Sequence, residues 1–140
     1  IVLSRHSPAR EIVGVELNPI AHQLAMENVA LNRCTNVRLI EGDAHDVTRR
    51  LAYDDQTFHR ITMPLPKTAE EFLDDAIKVG ARGTIIHYYS FQPEGQFEQA
   101  VETVRAALRR NGRQLGQYAV VKAGQHAPRV WRVCVDAEVG

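Results

Sequence analysis

Three short stretches place chemically useful groups where a strand should end. In Val15-Glu16-Leu17-Asn18-Pro19 a carboxylate closes an apolar run just before an Asn-Pro helix start. At the carboxyl end of a parallel strand, such an acid can accept both hydroxyls of a ribose in a bidentate pair of charge-assisted hydrogen bonds. A solvated strand-end acid is the equally simple alternative. Glu41-Gly42-Asp43-Ala44 closes the next apolar run. There Asp43 is placed to accept from an adenine amino group while the small Gly42 and Ala44 admit a flat ring, although an ordinary Gly-Asp turn explains the same residues. The third stretch is Arg60-Ile61-Thr62-Met63-Pro64-Leu65-Pro66-Lys67, an apolar run that ends in two prolines. Proline supplies no ladder N–H and fixes φ, so the strand must stop and the backbone must turn outward with free carbonyls. In an open α/β sheet, strand ends of this kind are where ligands are handled.

The elements that would hold these groups can be read in order. Residues 1–6 look like the last turn of a helix before Ser7-Pro8, and residues 11–17 read as a strand. A helix from Pro19 to about Asn32 carries Ile20, Leu24 and Leu31, with Ala21 and Ala25 beside them, as a stripe expected to pack on a sheet. Residues 36–41 form a second strand, 47–51 a short helix and 59–63 the strand that ends at the prolines. Thr68-x-x-Glu71 is a capping box for a helix with Phe72, Leu73, Ala76 and Ile77 on one side. The continuous apolarity of residues 84–91 suits a strand covered on both faces. Pro93 is expected to open a helix with Phe97, Val101, Val104 and Leu108, stopped by Asn111-Gly112. Residues 114–122 and 130–139 read as closing strands that pair antiparallel. Strand-helix alternation followed by two strands predicts one α/β domain over residues 1–140, a doubly wound sheet with an antiparallel edge.

Composition narrows the classes of function. Lys plus Arg and Asp plus Glu both number 17, so no global field draws the chain toward nucleic acid or anionic lipid, and any such contact must be local. Arg109, Arg110 and Arg113, with Lys67 and Arg129, are candidate phosphate contacts, but Arg109 and Arg110 more simply complement a helix dipole. No run approaches the roughly 18 apolar residues of a membrane span, and the N-terminus lacks a signal-peptide pattern, so a soluble, cytoplasmic protein is expected. Cys34 and Cys134 lie far apart and the six histidines are scattered singly, so two reduced thiols and no metal are expected. His87, Tyr88 and Tyr89 fall in the strongly β-prone run, where packing with one satisfied polar tip is the default.

Taken together, the three strand-end stretches, the continuation Lys67-Thr68-Ala69-Glu70-Glu71-Phe72-Leu73, Ile85-Ile86-His87-Tyr88-Tyr89 and Ala127-Pro128-Arg129-Val130-Trp131 resemble, in order, the archaeal and eukaryotic tRNA (guanine-37 N1)-methyltransferases, the Trm5 or Met-10-like family. The likeness runs over almost the whole chain. It implies a class I methyltransferase fold of Rossmann type, S-adenosylmethionine (SAM) as cofactor and tRNA as partner. By the same resemblance Glu16 binds the SAM ribose, Asp43 lies near its adenine, Pro64 to Pro66 form the catalytic loop that holds the target guanine, and Lys67 and Arg129 contact the substrate. Methyl transfer needs no metal, because the sulfonium is already an electrophile and the protein mainly orients donor and acceptor. Guanine N1 must lose a proton, so a general base is expected.

The sequence departs from the family in two ways. Pro64-Leu65-Pro66 stands where relatives usually have Asn-Leu-Pro, so the amide that would meet the guanine edge is replaced by a ring without donor or acceptor. The family's first strand, its glycine-rich loop, its proton acceptor and its tRNA-binding domains should all precede Ile1. The expectation is therefore a C-terminal piece of the catalytic domain, with weak or no SAM binding and no activity by itself. Its missing strand would lie between those ending at Glu16 and Met63, leaving unpaired edges. A wybutosine-pathway aminocarboxypropyl transferase is the near alternative, and a noncatalytic RNA-binding module the alternative from another class. A nicotinamide oxidoreductase would share Glu16 but leaves the stretch from Met63 to Leu73 unexplained. The methyltransferase reading requires Glu16, Asp43 and the proline pair to converge on one rim of a sheet.

Overall fold

The computed structural model describes all residues from Ile1 to Gly140, which fall into two compact units, Ile1–Val47 and Thr48–Gly140. The first holds a short helix α1 (Val2–His6), strand β1 (Ile12–Glu16), helix α2 (Pro19–Leu31) and strand β2 (Val37–Glu41). β1 and β2 pair in parallel from Ile12 opposite Val37 to Glu16 opposite Glu41. A Cβ on Gly14 would stand 2.8 Å from Leu39 Cδ2, so glycine makes room for the leucine across the pair.

Asn18 starts α2 as its residue type predicts: Oδ1 accepts from the N–H groups of Ile20 (2.9 Å) and Ala21 (3.3 Å), and Pro19 fills the first helical position, where an N–H would have no partner. The expected packing stripe turns inward at its alanines and outward at its large side chains. Ile20, Leu24 and Leu31 are 72%, 54% and 79% exposed, whereas Ala21, His22, Ala25 and Val29 are half-buried. The period predicts the helix, but the inward face is centred about one residue away from the large apolar side chains, on Ala21, His22, Ala25 and Val29.

Helix α3 (Ala44–Tyr53) crosses from the first unit into the second, extending the expected short helix at both ends. Strand β3 (Phe58–Met63), helix α4 (Leu73–Lys78), strand β4 (Gly80–Pro93), helix α5 (Glu98–Arg110) and strands β5 (Leu115–Ala127) and β6 (Val130–Val139) follow. The sheet order is β3-β4-β6-β5, with β3 and β4 parallel and β6 running against both of its neighbours. The antiparallel strand is thus inserted beside β4, and β5 forms the outer edge.

α4 and α5 pack on one face of this sheet. From α5 come Ala100, Val101, Val104, Ala107 and Leu108, none with any exposed surface. They meet Ile86 and Tyr88 of β4 and Val133, Val135 and Ala137 of β6, with Leu73, Ala76 and Ile77 of α4 completing the core. Burial of this extent, at roughly 25 cal/mol per Å² of apolar surface, is what holds the unit together.

Three expectations are corrected here. Residues 84–91 are not covered equally on both faces: Ile86, Tyr88 and Ser90 are buried, while Ile85, His87, Tyr89 and Phe91 are only half-buried. Thr68 makes no side-chain cap; the chain instead takes a 3-10 turn over Ala69–Phe72 before α4 begins. Pro93 ends β4 rather than opening α5, because proline is tolerated at a strand end where no ladder N–H is required.

Candidate functional site

In the first unit the strand-end acids come together. Glu16 and Glu41 are the last paired residues of β1 and β2, and the Gly42 N–H donates to the Glu16 carbonyl at 3.0 Å, which sets Gly42-Asp43 beside Glu16 at the carboxyl end of the pair. The exposed Glu16 side chain is oriented by the Asn18 N–H, which donates to Oε1 at 2.8 Å. That leaves Oε2 and the second lone pair of Oε1 as acceptors. Asp43 is half-buried, and its Oδ1 accepts from the His45 N–H at 2.8 Å, so the carboxylate also shapes the entry to α3. Gly42 has φ +152°, and a Cβ there would stand 3.2 Å from Val47 Cγ2; the backbone between the two acids admits no side chain. His22 Nδ1 lies 3.6 Å from Glu41 Oε2 at the same strand end, a pairing the sequence did not signal because the two residues stand on different elements.

In the second unit β3 ends at the buried Met63, followed by Pro64, Leu65 and Pro66. The Leu65 carbonyl is not free: it accepts from the N–H groups of Thr68 (3.3 Å) and Ala69 (3.0 Å), closing the loop on itself. Leu65 is 70% exposed and Lys67 is exposed beside it. Arg129 sits with φ 57° in the two-residue turn between β5 and β6, and its carbonyl accepts from the Glu94 N–H at 2.8 Å. Because β3, β4 and β5 all run the same way, the proline loop and Arg129 occupy the same end of their sheet. They are offset along the strands: Met63 pairs with Tyr88, whereas Val130, next to Arg129, pairs with Pro93.

Sequence reasoning missed a polar cluster on the sheet face opposite α4 and α5. His87 and Asp136 are directly paired across β4 and β6, and His87 Nδ1 lies 2.6 Å from Asp136 Oδ1. Arg60 Nη1 lies 3.1 Å from His87 Nε2. A guanidinium can only donate, so Nε2 accepts and the ring proton sits on Nδ1, donated to Asp136. The Cys134 thiol donates to the same carboxylate oxygen at 3.3 Å. Burial first, and then the Asp136 carboxylate, push that thiol up to about 12, which makes it a poor nucleophile. The Tyr89 hydroxyl is likewise raised, by Cys134 beside it and by burial. His87, Cys134 and Asp136 bring three metal-ligand atoms within 4.8 Å of one another, but the Arg60 charge against His87 opposes a dication there. The only advance signal was the two-residue spacing of 87/89 and 134/136, and it needed the strand register to become a cluster.

The model of the TRM5/TYW2 methyltransferase domain matches residues 1–115. The tRNA(Phe) (4-demethylwyosine(37)-C(7)) aminocarboxypropyltransferase of Methanocaldococcus jannaschii is 31% identical over 99% of this chain and 54% of its own length. The tRNA (guanine(37)-N(1))-methyltransferase Trm5b of Pyrococcus abyssi is 32% identical over 94% of this chain and 38% of its own. The chain therefore spans about half, or less, of the length of these curated relatives. Among solved structures, M. jannaschii TYW2 in complex with AdoMet superposes with a TM-score of 0.89 at 29% identity, covering 98% of this chain and 61% of that one. The Rossmann-like class I methyltransferase fold expected from the sequence is thereby established.

Proposed function

Because the chain belongs to the TRM5/TYW2 methyltransferase domain family, we propose that it is part of an enzyme that uses SAM to modify the purine at position 37 of tRNA, with methylation of guanine N1 as the leading reaction. The activity is proposed for the protein that contains this chain. The observation that carries the reading is the pair of carboxylates at one strand end, Glu16 joined to Gly42-Asp43 through a 3.0 Å backbone hydrogen bond. These residues fit an adenosyl ligand. Glu16 is exposed with acceptor capacity to spare for two ribose hydroxyls, and the backbone at Gly42 offers no Cβ to obstruct a flat ring.

When bound, SAM supplies an electrophilic carbon on a sulfonium centre. In this reading the chain's own work is positioning. Glu16 fixes the ribose, Asp43 accepts from the adenine amino group, and the loop from Pro64 to Pro66, closed on the Leu65 carbonyl, holds the target base rigidly with its two proline rings. Lys67 and Arg129 meet phosphates from the same end of their sheet. Such orientation is worth several powers of ten in rate without any group of the chain entering a bond.

Pro64 is what favours a second reading, aminocarboxypropyl transfer, since its ring offers a guanine edge neither donor nor acceptor. Intact protein incubated with unmodified tRNA and SAM labelled separately in the methyl and carboxypropyl groups separates the two. Methyl label in tRNA supports the leading reading and carboxypropyl label the second. Neither label, with tRNA still bound, would leave a noncatalytic RNA-binding module.

A further inference from the structure

The three strands β4, β6 and β5 do not stop where β3 stops. Met63 pairs with Tyr88, but β4 continues to Pro93 opposite Val130, and β5 reaches Ala127 beside it. A ribbon therefore projects five residue positions past the strand that leads into the proline loop, a reach of roughly 16 Å.

The ribbon's surface differs in charge and chemistry from the neutral chain. Along β5 and β6, from Gln114 to Val135, there is no carboxylate, while Lys122, Arg129 and Arg132 bring three positive charges; the acid at the tip is the exposed Glu94 that follows β4, its N–H bonded to the Arg129 carbonyl. On one face the rings of Phe91 and His126 stack at 3.9 Å with 25° between their planes; Phe91 is half-buried beneath, and His126 is exposed. Arg132, paired directly with Phe91, is exposed and held by a 3.0 Å hydrogen bond from Nη2 to the Ala123 carbonyl. Gly124, at φ +133°, occupies the position opposite Arg132, so no side chain of β5 covers the guanidinium there. Arg129 stands exposed at the tip. On the other face Lys122 is already occupied, its Nζ 4.3 Å over the Trp131 ring and 5.5 Å over Phe97.

An exposed flat ring flanked by unpaired cations is the arrangement that binds single-stranded RNA: a base stacks on the ring, and the cations meet the adjoining phosphates. We propose that the Phe91–His126 stack, with Arg129 and Arg132, is a docking ledge for an unpaired stretch of RNA next to the target nucleotide, one base lying on His126. The proposal rests on the tRNA reading above and adds to it a surface outside the target-base loop.

The test is fluorescence anisotropy of the full chain with two labelled RNAs, a single-stranded dodecamer and a stem-loop with a seven-base loop, across a salt series. His126→Ala is expected to weaken binding about tenfold, and His126→Tyr, which keeps a stacking face, to restore it. The double variant Arg129→Gln/Arg132→Gln is expected to weaken binding about tenfold and to lower the salt slope by about 1.5. Arg82→Gln, an exposed cation at the start of β4, should bind as wild type. RNA binding by wild type that is unchanged in His126→Ala and in the double variant, both folded by circular dichroism, would overturn the ledge and leave the tRNA reading standing. Absence of binding of either RNA by wild type would also overturn the ledge, while the tRNA reading is decided separately by label transfer from SAM to tRNA.

Discussion

The two units use similar elements with opposite results. In Ile1–Val47 no residue of β1, α2 or β2 is buried, and Leu17, Ile20, Leu24, Met26 and Leu31 are each at least half exposed. In Thr48–Gly140 a core of sixteen buried residues joins β3, β4 and β6 to α4 and α5, and eleven of these have no exposed surface. The two paired strands of the first unit and the helix between them bury no side chain, whereas the four-stranded sheet of the second has the buried apolar face that supports a sheet in water. Packing is concentrated in the second unit. The acids assigned to the cofactor stand on the loosely packed unit, and the loop assigned to the target base stands on the firmly packed one.

Core truncation is the strongest way to break that contrast. Leu108→Ala removes a fully buried side chain of α5 and is expected to cost about 2–5 kcal/mol in urea denaturation. Leu24→Ala on α2, at 54% exposure, should stay within about 0.5 kcal/mol. Equal losses from the two substitutions would mean that α2 is packed as tightly as α5.

That contrast also explains how much could be read from the sequence. The order of elements was legible because each is bounded by a strong local signal, such as Asn18-Pro19, the Pro64-Leu65-Pro66 run and Asn111-Gly112. Glu16 and Asp43 could be placed at one strand end because strand-helix-strand units of this length pair in parallel. What could not be read was anything set by phase or register. The inward face of α2 is centred about one residue away from its large apolar side chains, and the half-open face of β4 carries the same β-prone residues as its buried one. The His87–Asp136 pair and the Phe91–His126 stack depend on strand alignments that no single stretch encodes.

The next largest effect should come from the ligand itself. Glu16→Gln keeps the shape and one acceptor but removes the charge, and loss of charge-assisted hydrogen bonds worth about 1.5–3 kcal/mol would weaken SAM binding roughly 10- to 100-fold. Calorimetry on the intact protein measures this. The same variant should leave the urea midpoint unchanged, since Glu16 is exposed. A shifted midpoint with unaltered SAM affinity would make Glu16 a structural residue and leave Asp43 as the one acid of the first unit assigned to the cofactor.

The two thiols provide a finer comparison. Cys34 is half-buried and Cys134 buried, so iodoacetamide at pH 8 should modify Cys34 and spare Cys134 in native protein, as peptide mapping would show. Cys134 further couples stability to pH. Its thiol is raised from 9.0 to about 12 in the folded chain, so above pH 9 the unfolded chain gives up a proton that the native one keeps. The unfolded state then binds fewer protons, and stability falls as pH rises from 9 toward 12, by about 1 kcal/mol at pH 10. Cys134→Ser should flatten that part of the profile. A profile that stays steep in the variant would assign the loss to Tyr88 and Tyr89, whose hydroxyls are also raised.

The smallest effect is the most discriminating. Asn18→Ala deletes the oxygen that accepts from the N–H groups of Ile20 and Ala21, while the Asn18 N–H that holds Glu16 belongs to the backbone and remains. Loss of such a cap costs about 1 kcal/mol. If the units open separately, amides of α2, β1 and β2 should exchange about five times faster, and those of Val133 and Val135 should not change. Acceleration of both sets by the same factor would show that the loosely packed unit opens only with the core. In that case Glu16 is held by the whole fold, and the apparent contrast in packing carries no contrast in motion.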